Sequence, residues 1–355
     1  MISVELDRQR PATMRPSFFH HLHPPSVPTR QARFRYTLGA GGLSVFLVLV
    51  LIVTGILEMF YYIPTPERAA QSVQEITFLV PYGSLVRGLH YWAAQFLVVV
   101  SILHLLRVIF TGAYAEPRRF NYLLGIVLLG LVLFLDFTGY VLRWDEGIRW
   151  ALVAGTNLIR TIPGIGEDLY RFVMGSYQPG PATLIRFYAW HIFGLTLALA
   201  GIGLWHLFRV RRDGGIAVPP PALRADQERL SRDELVRREV LAMLIAGVIL
   251  VVITILFPAP IAQPMDLLLS TGADSRAPWF FLWVQHLLRW GDPFVFGILI
   301  PLAILVFLIA IAYVLPSPSP EQLGRWFPNG GRISQILSAL ILLALIALSL
   351  LALFS

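Results

Sequence analysis

The chain contains no cysteine and no lysine, and charged residues make up only 14% of its 355 positions. Without a thiol it cannot close a disulfide, hold an iron–sulfur cluster through thiolates, attach a c-type heme covalently or use a cysteine nucleophile. Any such chemistry has to come from partner chains. Polar residues are scarce as well: 56% of the chain is hydrophobic and the mean hydropathy is +0.69, too apolar for an ordinary soluble protein. What is present instead is apolar sequence in blocks long enough to cross a bilayer, which predicts an all-α polytopic membrane protein. The polar, proline-rich stretch 1–35 has only a short apolar patch at Phe18 and Phe19. It lacks the charged, apolar, then small-residue order of a signal peptide and reads as a retained N-terminal arm.

Windows of roughly 20 mostly apolar residues fall at Leu38–Phe60, Val86–Phe110, Tyr122–Leu142, Leu184–Phe208, Val240–Phe257, Phe294–Leu315 and Ile333–Phe354. Proline pairs follow the first, fifth and sixth of them at Pro64 and Pro66, Pro258 and Pro260, and Pro316 and Pro318, where a helix cannot continue. The loop between the third and fourth spans is about forty residues long, and glycines break it into short apolar pieces such as Leu158–Ile162 and Leu169–Met174. Two short surface helices are expected there. The predicted organisation is an arm at 1–35, a four-helix domain at 36–215, a polar linker at 216–238 and a three-helix domain at 239–355.

All 28 basic residues are arginine, and the formal charge is +7. Seven spans place 19 Arg and 10 acids on the side of the N-terminus, against 9 Arg and 11 acids on the other. By the positive-inside rule the N-terminus is cytoplasmic and the C-terminus lies outside, as in a bacterial-type inner (plasma) membrane. The basic excess thus reads as topology and not as nucleic-acid binding.

Of eight histidines, His90, His104, His191 and His206 lie inside the second and fourth spans. Ionisable groups in spans are rare and costly, so each is a functional candidate, although a single one can simply bond to a neighbouring helix. Four in a pattern say more. His90 and His104 are 14 apart, a spacing that returns to within about 40° of the same helix face and rises about 21 Å; His191 and His206 are 15 apart. The two helices run in the same direction, so His90 is level with His191 near the outer side and His104 with His206 near the inner side. Two stacked bis-imidazole sites without carboxylate or thiolate suit two low-spin heme irons better than zinc or calcium. Gly41 and Gly55 in the first span, and Gly125 and Gly139 in the third, repeat the 14-residue spacing and leave room beside each macrocycle. Arg87 and Arg107, one turn toward the water from His90 and His104, suit heme propionates, or simply snorkel.

These residues, with Gly83-Ser84-Leu85-Val86-Arg87-Gly88-Leu89-His90, Phe110-Thr111-Gly112-Ala113-Tyr114, Phe137-Thr138-Gly139-Tyr140-Val141-Leu142, Thr183-Leu184-Ile185-Arg186-Phe187-Tyr188 and Arg209-Val210-Arg211-Arg212-Asp213-Gly214-Gly215, resemble the cytochrome b subunit of bc- and b6f-type quinol-oxidising complexes. The histidine spacing is similar to the b6 branch, and the last three spans are similar to its separate subunit IV, here fused. The resemblance implies two non-covalent b hemes, His90/His191 (outer) and His104/His206 (inner). It also implies an outer site oxidising quinol and an inner site reducing ubiquinone- or menaquinone-type quinone, a Rieske iron–sulfur protein and a cytochrome c-type subunit as partners, and a homodimer of complexes. The b6 branch's covalent extra heme is not expected.

The family's Pro-Glu-Trp-Tyr motif aligns with Ala277-Pro278-Trp279-Phe280, and its Pro-Trp after the third span with Arg143-Trp144, followed by Asp145-Glu146. The usual glutamate and tyrosine hydroxyl are therefore missing from the outer site, whose candidate residues are Tyr140, Asp145, Glu146, Trp279, Phe280 and His286. His286, Asp145 or Glu146 is expected to relay the quinol protons, imidazole having a suitable intrinsic pKa. Arg33, Arg212 and Asp213 are the candidates for the inner site. Two other classes stay open: a diheme anchor that passes electrons to a non-Rieske partner without bifurcation, and a heme-free transporter or scaffold, which leaves the matched His and Gly unexplained.

Overall fold

The computed structural model of the protein describes residues 25–148, 151–217, 229–265 and 276–354. His20, His21 and His23, most of the predicted arm and residues 218–228 of the predicted linker lie outside the described residues. Among the described residues seven helices are long and apolar enough to cross a membrane. They are α1 (Ala40–Met59), α3 (Gly83–Phe110), α4 (Arg119–Leu142), α6 (Pro181–Arg212), α7 (Arg232–Leu256), α9 (Val295–Tyr313) and α10 (Asn329–Phe354). Three shorter helices, α2 (Ala69–Phe78), α5 (Gly166–Met174) and α8 (Leu282–Leu287), lie in the connections. The protein is a multi-pass, mainly helical membrane protein.

Local chemistry sets the ends of these elements. Gly39, in the left-handed region at φ +62°, starts α1. Pro181 sits in the first turn of α6, where its missing N–H is not needed, and Thr183 Oγ1 accepts from Gly180 N at 3.2 Å. Ser231 caps α7 by accepting from Glu234 N at 3.3 Å, with Asp233 and Glu234 in the positive first turn. A short antiparallel pair, β1 (Ser26–Pro28) with β2 (Arg229–Ser231), joins the chain before α1 to the start of α7. Helical periodicity gives no hint of it, because three residues are too few to show alternation.

Helix α3 packs along α1, α4 packs along α6, and α7 lies against α3 and α1 while α9 lies against α4. At one end of the bundle, here the loop end, Trp144, Ile148, Leu152, Tyr170, Met174 and Leu184 form a fully buried cluster. The long connection between α4 and α6 is therefore a packed body containing a 3-10 turn (Leu158–Thr161) and α5, close to the two surface helices expected. The segment after α7 is laced onto it: Glu146 N donates to Gln263 O at 2.9 Å, and Met265 N to Trp144 O at 3.3 Å. At the opposite, arm end, Ile109, Tyr114, Tyr122, Ile126, Ile311 and Ala312 close a smaller cluster.

Candidate functional site

His90 and His104 project from α3, and His191 and His206 from α6. His90 faces His191 with ring centroids 6.3 Å apart and ring planes at 62°; His104 faces His206 at 6.5 Å and 79°. Two imidazole nitrogens bound in line to one metal ion at about 2.0 Å each hold their ring centroids about 6.3 Å apart. Both spacings fit that arrangement. Among the described residues no group of three or more His, Asp or Glu converges on one point. Two imidazoles alone per metal is the ligand set that an iron already held by a porphyrin needs.

The unequal spacings, 14 and 15, have a local explanation. Helix α3 is regular from end to end, whereas α6 contains a π-helical turn at Trp190–Gly194, with His191 in it. A π turn takes up one extra residue without changing the direction of the helix, so the 15 positions on α6 cover the same rotation as 14 on α3. Thr196 Oγ1 donates to His191 O at 2.5 Å, five residues back, and fastens the widened turn.

The second layer around the rings shows which nitrogen is free. Thr54 Oγ1 donates to Val50 O at 2.7 Å, so its lone pair accepts from His90 Nδ1 at 2.9 Å. Thr138 Oγ1 donates to Leu135 O at 3.0 Å, and His191 Nδ1 lies 3.0 Å from that hydroxyl and 3.1 Å from Leu135 O. His206 Nδ1 donates to Asn121 O at 3.1 Å. In each case the proton sits on Nδ1 and Nε2 is left bare, the tautomer a metal ligand requires. His104 Nδ1 has no partner among the described residues.

Each of the four spaced glycines abuts one of these rings. A Cβ added at Gly139 meets His191 Cε1 at 2.8 Å, and one at Gly55 meets His90 Cε1 at 3.1 Å. At Gly125 and Gly41 the distances to His206 and His104 are 3.5 and 3.7 Å. The glycines thus admit the imidazoles themselves. The repeated sequences Leu51-Ile52-Val53-Thr54-Gly55 and Leu135-Asp136-Phe137-Thr138-Gly139 carry both the hydroxyl and the gap. That repeat was the sequence signal for Thr54 and Thr138.

The two arginines differ. Arg87 is buried and donates to Ala259 O at 3.2 Å and to Pro260 O, so it pins the segment after α7. Arg107 is also buried; it donates through Nε to Tyr36 O at 3.0 Å and stacks on the Tyr36 ring, but its Nη2 has no partner among the described residues. An orphaned guanidinium nitrogen one turn from His104 fits an anionic group such as a propionate.

At the loop end, Tyr140 lies against Gly147 and Arg276, Asp145 and Glu146 against residues 262–264 after α7, and Trp279 and Phe280 against α3. Tyr140 Oη donates to Gly147 O and, at 3.3 Å, to Arg276 O. Phe280 packs on Phe281, which meets Phe137 of α4 at 6.0 Å. Asp145 is buried in an ion pair with Arg143 at 2.7 Å and accepts from Ala262 N at 3.3 Å, which commits one of its oxygens to structure. His286, on α8, lies edge-on to Trp290 at 5.8 Å, and its Nδ1 is buried without a partner among the described residues. Tyr62, between α1 and α2, stacks on Tyr188 and donates to Leu142 O at 2.7 Å. Burial, reinforced by Tyr188, holds its phenol far above the usual tyrosine range, so it acts as a donor and not as a proton acceptor. At the arm end, Arg33 and Arg212 are exposed, while Asp213 is buried beside Arg209 at 2.9 Å.

Gln95 and Asp136 escaped the sequence reading as well. Trp279 Nε1 donates to Gln95 Oε1 at 2.6 Å, and Gln95 Nε2 donates to Asp136 Oδ1 at 3.2 Å. Asp136 is the sole acid of its span, which was the available signal.

This is the architecture of a transmembrane b-type cytochrome, and comparison with known proteins places it. The sequence model of the cytochrome b/b6/petB family matches residues 27–214, and the chain belongs to that family. It is 38% identical over 192 residues to cytochrome b6 of Heliobacterium modesticaldum, covering 54% of this chain and 88% of that protein. It is 37% identical over 175 residues to the menaquinol:cytochrome c reductase cytochrome b subunit of Geobacillus thermodenitrificans, covering 49% and 78%. A chain of a hyperthermophilic respiratory complex III has the same fold, with a TM-score of 0.75 over 89% of this chain and 84% of its own, at 19% identity.

Proposed function

We propose that the chain is the diheme b-type cytochrome of a quinol:cytochrome c (or equivalent acceptor) oxidoreductase, with one heme between His90 and His191 and one between His104 and His206. The observation that carries this reading is the pairing of four histidines at 6.3 and 6.5 Å, with Nδ1 of three of them turned to a protein acceptor. When bound, the two hemes supply a one-electron path between the two ends of the bundle.

The chain's own residues do the rest. Thr54 and Thr138 fix the tautomer of the loop-end ligands, the four glycines admit the rings, and Arg107 offers its free Nη2 to a propionate. Tyr140, Asp145, Glu146, Trp279, Phe280 and His286 bound a quinol-oxidising site at the loop end, and Arg33, Arg212 and Asp213 a quinone-reducing site at the arm end. The arginine asymmetry puts the arm end in the cytoplasm of a bacterial-type plasma membrane, so protons leave outside and are consumed inside. A Rieske iron–sulfur protein, a c-type cytochrome and a second copy of the complex are the expected partners.

A pyridine hemochrome assay on the purified complex is expected to count two b hemes per chain, both reduced by quinol. One or none would overturn the reading. The replaced Glu and Tyr at Ala277-Pro278-Trp279-Phe280 favour one second reading, a diheme anchor serving a non-Rieske partner. Electron paramagnetic resonance decides between them: a Rieske signal in the complex supports the first reading, and its absence the second.

A further inference from the structure

The motif at 277–280 lacks its acid, yet the residue that remains there, Trp279, leads to another. Its indole N–H is bonded at 2.6 Å to Gln95 of α3, whose amide donates at 3.2 Å to Oδ1 of Asp136 on α4. Oδ2 of Asp136 is sealed from solvent and has no hydrogen-bond partner among the described residues. Among the described residues no arginine forms an ion pair with it, and Tyr91 of α3 is in electrostatic contact with it. A carboxyl buried in a span without a cation is expensive to keep, and such groups are retained where protons move.

Its place fits that role. Phe137, the next residue, packs on Phe281, so this part of α4 lies under the segment that carries Trp279. Leu135, the preceding residue, accepts from His191 Nδ1. Asp136 thus stands between the loop-end histidine pair and the segment proposed to bound quinol. Of the other acids at this end, Asp145 is paired with Arg143, while Glu58 at the end of α1 also has a buried oxygen, Oε1, without a partner among the described residues; Asp136 is the one joined through Gln95 to Trp279.

We propose that Asp136 is the catalytic residue that accepts a quinol hydroxyl proton at the loop end, in place of the missing motif glutamate, with Gln95 and Trp279 as positioning residues that hold one oxygen and leave the other for the substrate. This rests on the quinol-oxidising reading above. One quinol gives up two electrons, taken singly by two one-electron metal centres, and two protons. The quinol O–H bond breaks and an O–H bond forms on Oδ2, turning the carboxylate into a neutral acid. The second proton passes to water, and Asp136 returns its own before the next turnover.

The test compares wild-type complex with Asp136→Asn and Asp136→Glu. Heme content and dithionite-reduced spectra are expected to be unchanged in both. Quinol-driven acceptor reduction is expected to fall about 100-fold in Asp136→Asn and to recover in part in Asp136→Glu. In infrared difference spectra, quinol is expected to raise a protonated-carboxyl band in the wild type that shifts with 13C-aspartate and is missing in Asp136→Asn. Turnover of Asp136→Asn within about twofold of wild type, or a band that survives the substitution, overturns the proposal. If Asp136→Asn fails to assemble its hemes, the wild-type spectrum decides alone: an aspartate-sensitive band supports the proposal and its absence refutes it. Wild-type complex whose hemes are reduced by dithionite but not by quinol brings down the functional reading itself, and the proposal with it.

Discussion

The two histidine pairs are built from the same parts and held to different degrees. At the loop end both Nδ1 atoms meet threonine hydroxyls, one ring sits in a π turn, and a methyl group on the facing glycines would come within 2.8 Å (Gly139) and 3.1 Å (Gly55) of the rings. At the arm end one Nδ1 meets a backbone carbonyl, the other meets nothing among the described residues, and the glycines stand off at ordinary contact distance. Second-shell hydrogen bonds raise the basicity of a ligand and favour the oxidised metal. Buried arginines stand one turn from each pair, Arg87 at the loop end and Arg107 at the arm end. On the proposed diheme reading the difference in hydrogen bonding is expected to give the loop-end heme the lower potential, the order needed to move electrons toward the arm end, where each charge crossing costs about 2.3 kcal/mol per 100 mV of membrane potential.

The comparison can be broken at several points. The largest effect is expected from Gly139→Ala, whose methyl meets His191 at 2.8 Å. It is expected to lose most of the loop-end heme, whereas Gly125→Ala, at 3.5 Å, keeps the arm-end heme; the hemochrome assay on each variant reads the contrast. Equal losses would remove the distinction. Next comes Thr138→Val, which keeps the shape but deletes a hydroxyl. A net hydrogen bond of about 0.5 to 1.5 kcal/mol corresponds to roughly 20 to 60 mV for one electron, so the loop-end potential is expected to rise by that much and the arm-end potential to stay put. Arg107→Gln works in the opposite direction on the other pair, and redox titration is expected to show only the arm-end potential falling, by about 20 to 60 mV. The smallest effect is expected from Gly41→Ala, where 3.7 Å leaves the ring undisturbed; an α-band at wild-type position and height is the outcome to look for.

Much of this arrangement is legible in the sequence because it rests on period and length. Seven apolar blocks give seven helices, and 14-residue spacings put His90 and His104 on one stripe with their glycines opposite. The spacing of 15 on α6 required a π turn, and hydropathy carries no record of where one backbone hydrogen bond is skipped. The Thr–Gly repeat was readable but is hidden inside an apolar run where a threonine passes for a span residue. Long-range pairings left no trace: the bond from Trp279 to Gln95 joins residues 184 apart, and the strand pair joins Ser26 to Ser231. Arg87 also turned out to hold loop carbonyls, because nothing local to α3 says that the segment after α7 folds over it.

The most direct test of the central claim is a redox titration of the purified complex, with heme counting, in His191→Leu and His206→Leu beside wild type. Two b hemes per wild-type chain are expected, with the lower-potential one missing from His191→Leu and the higher-potential one from His206→Leu. A wild-type chain with fewer than two b hemes, or two variants that lose the same heme, would contradict it.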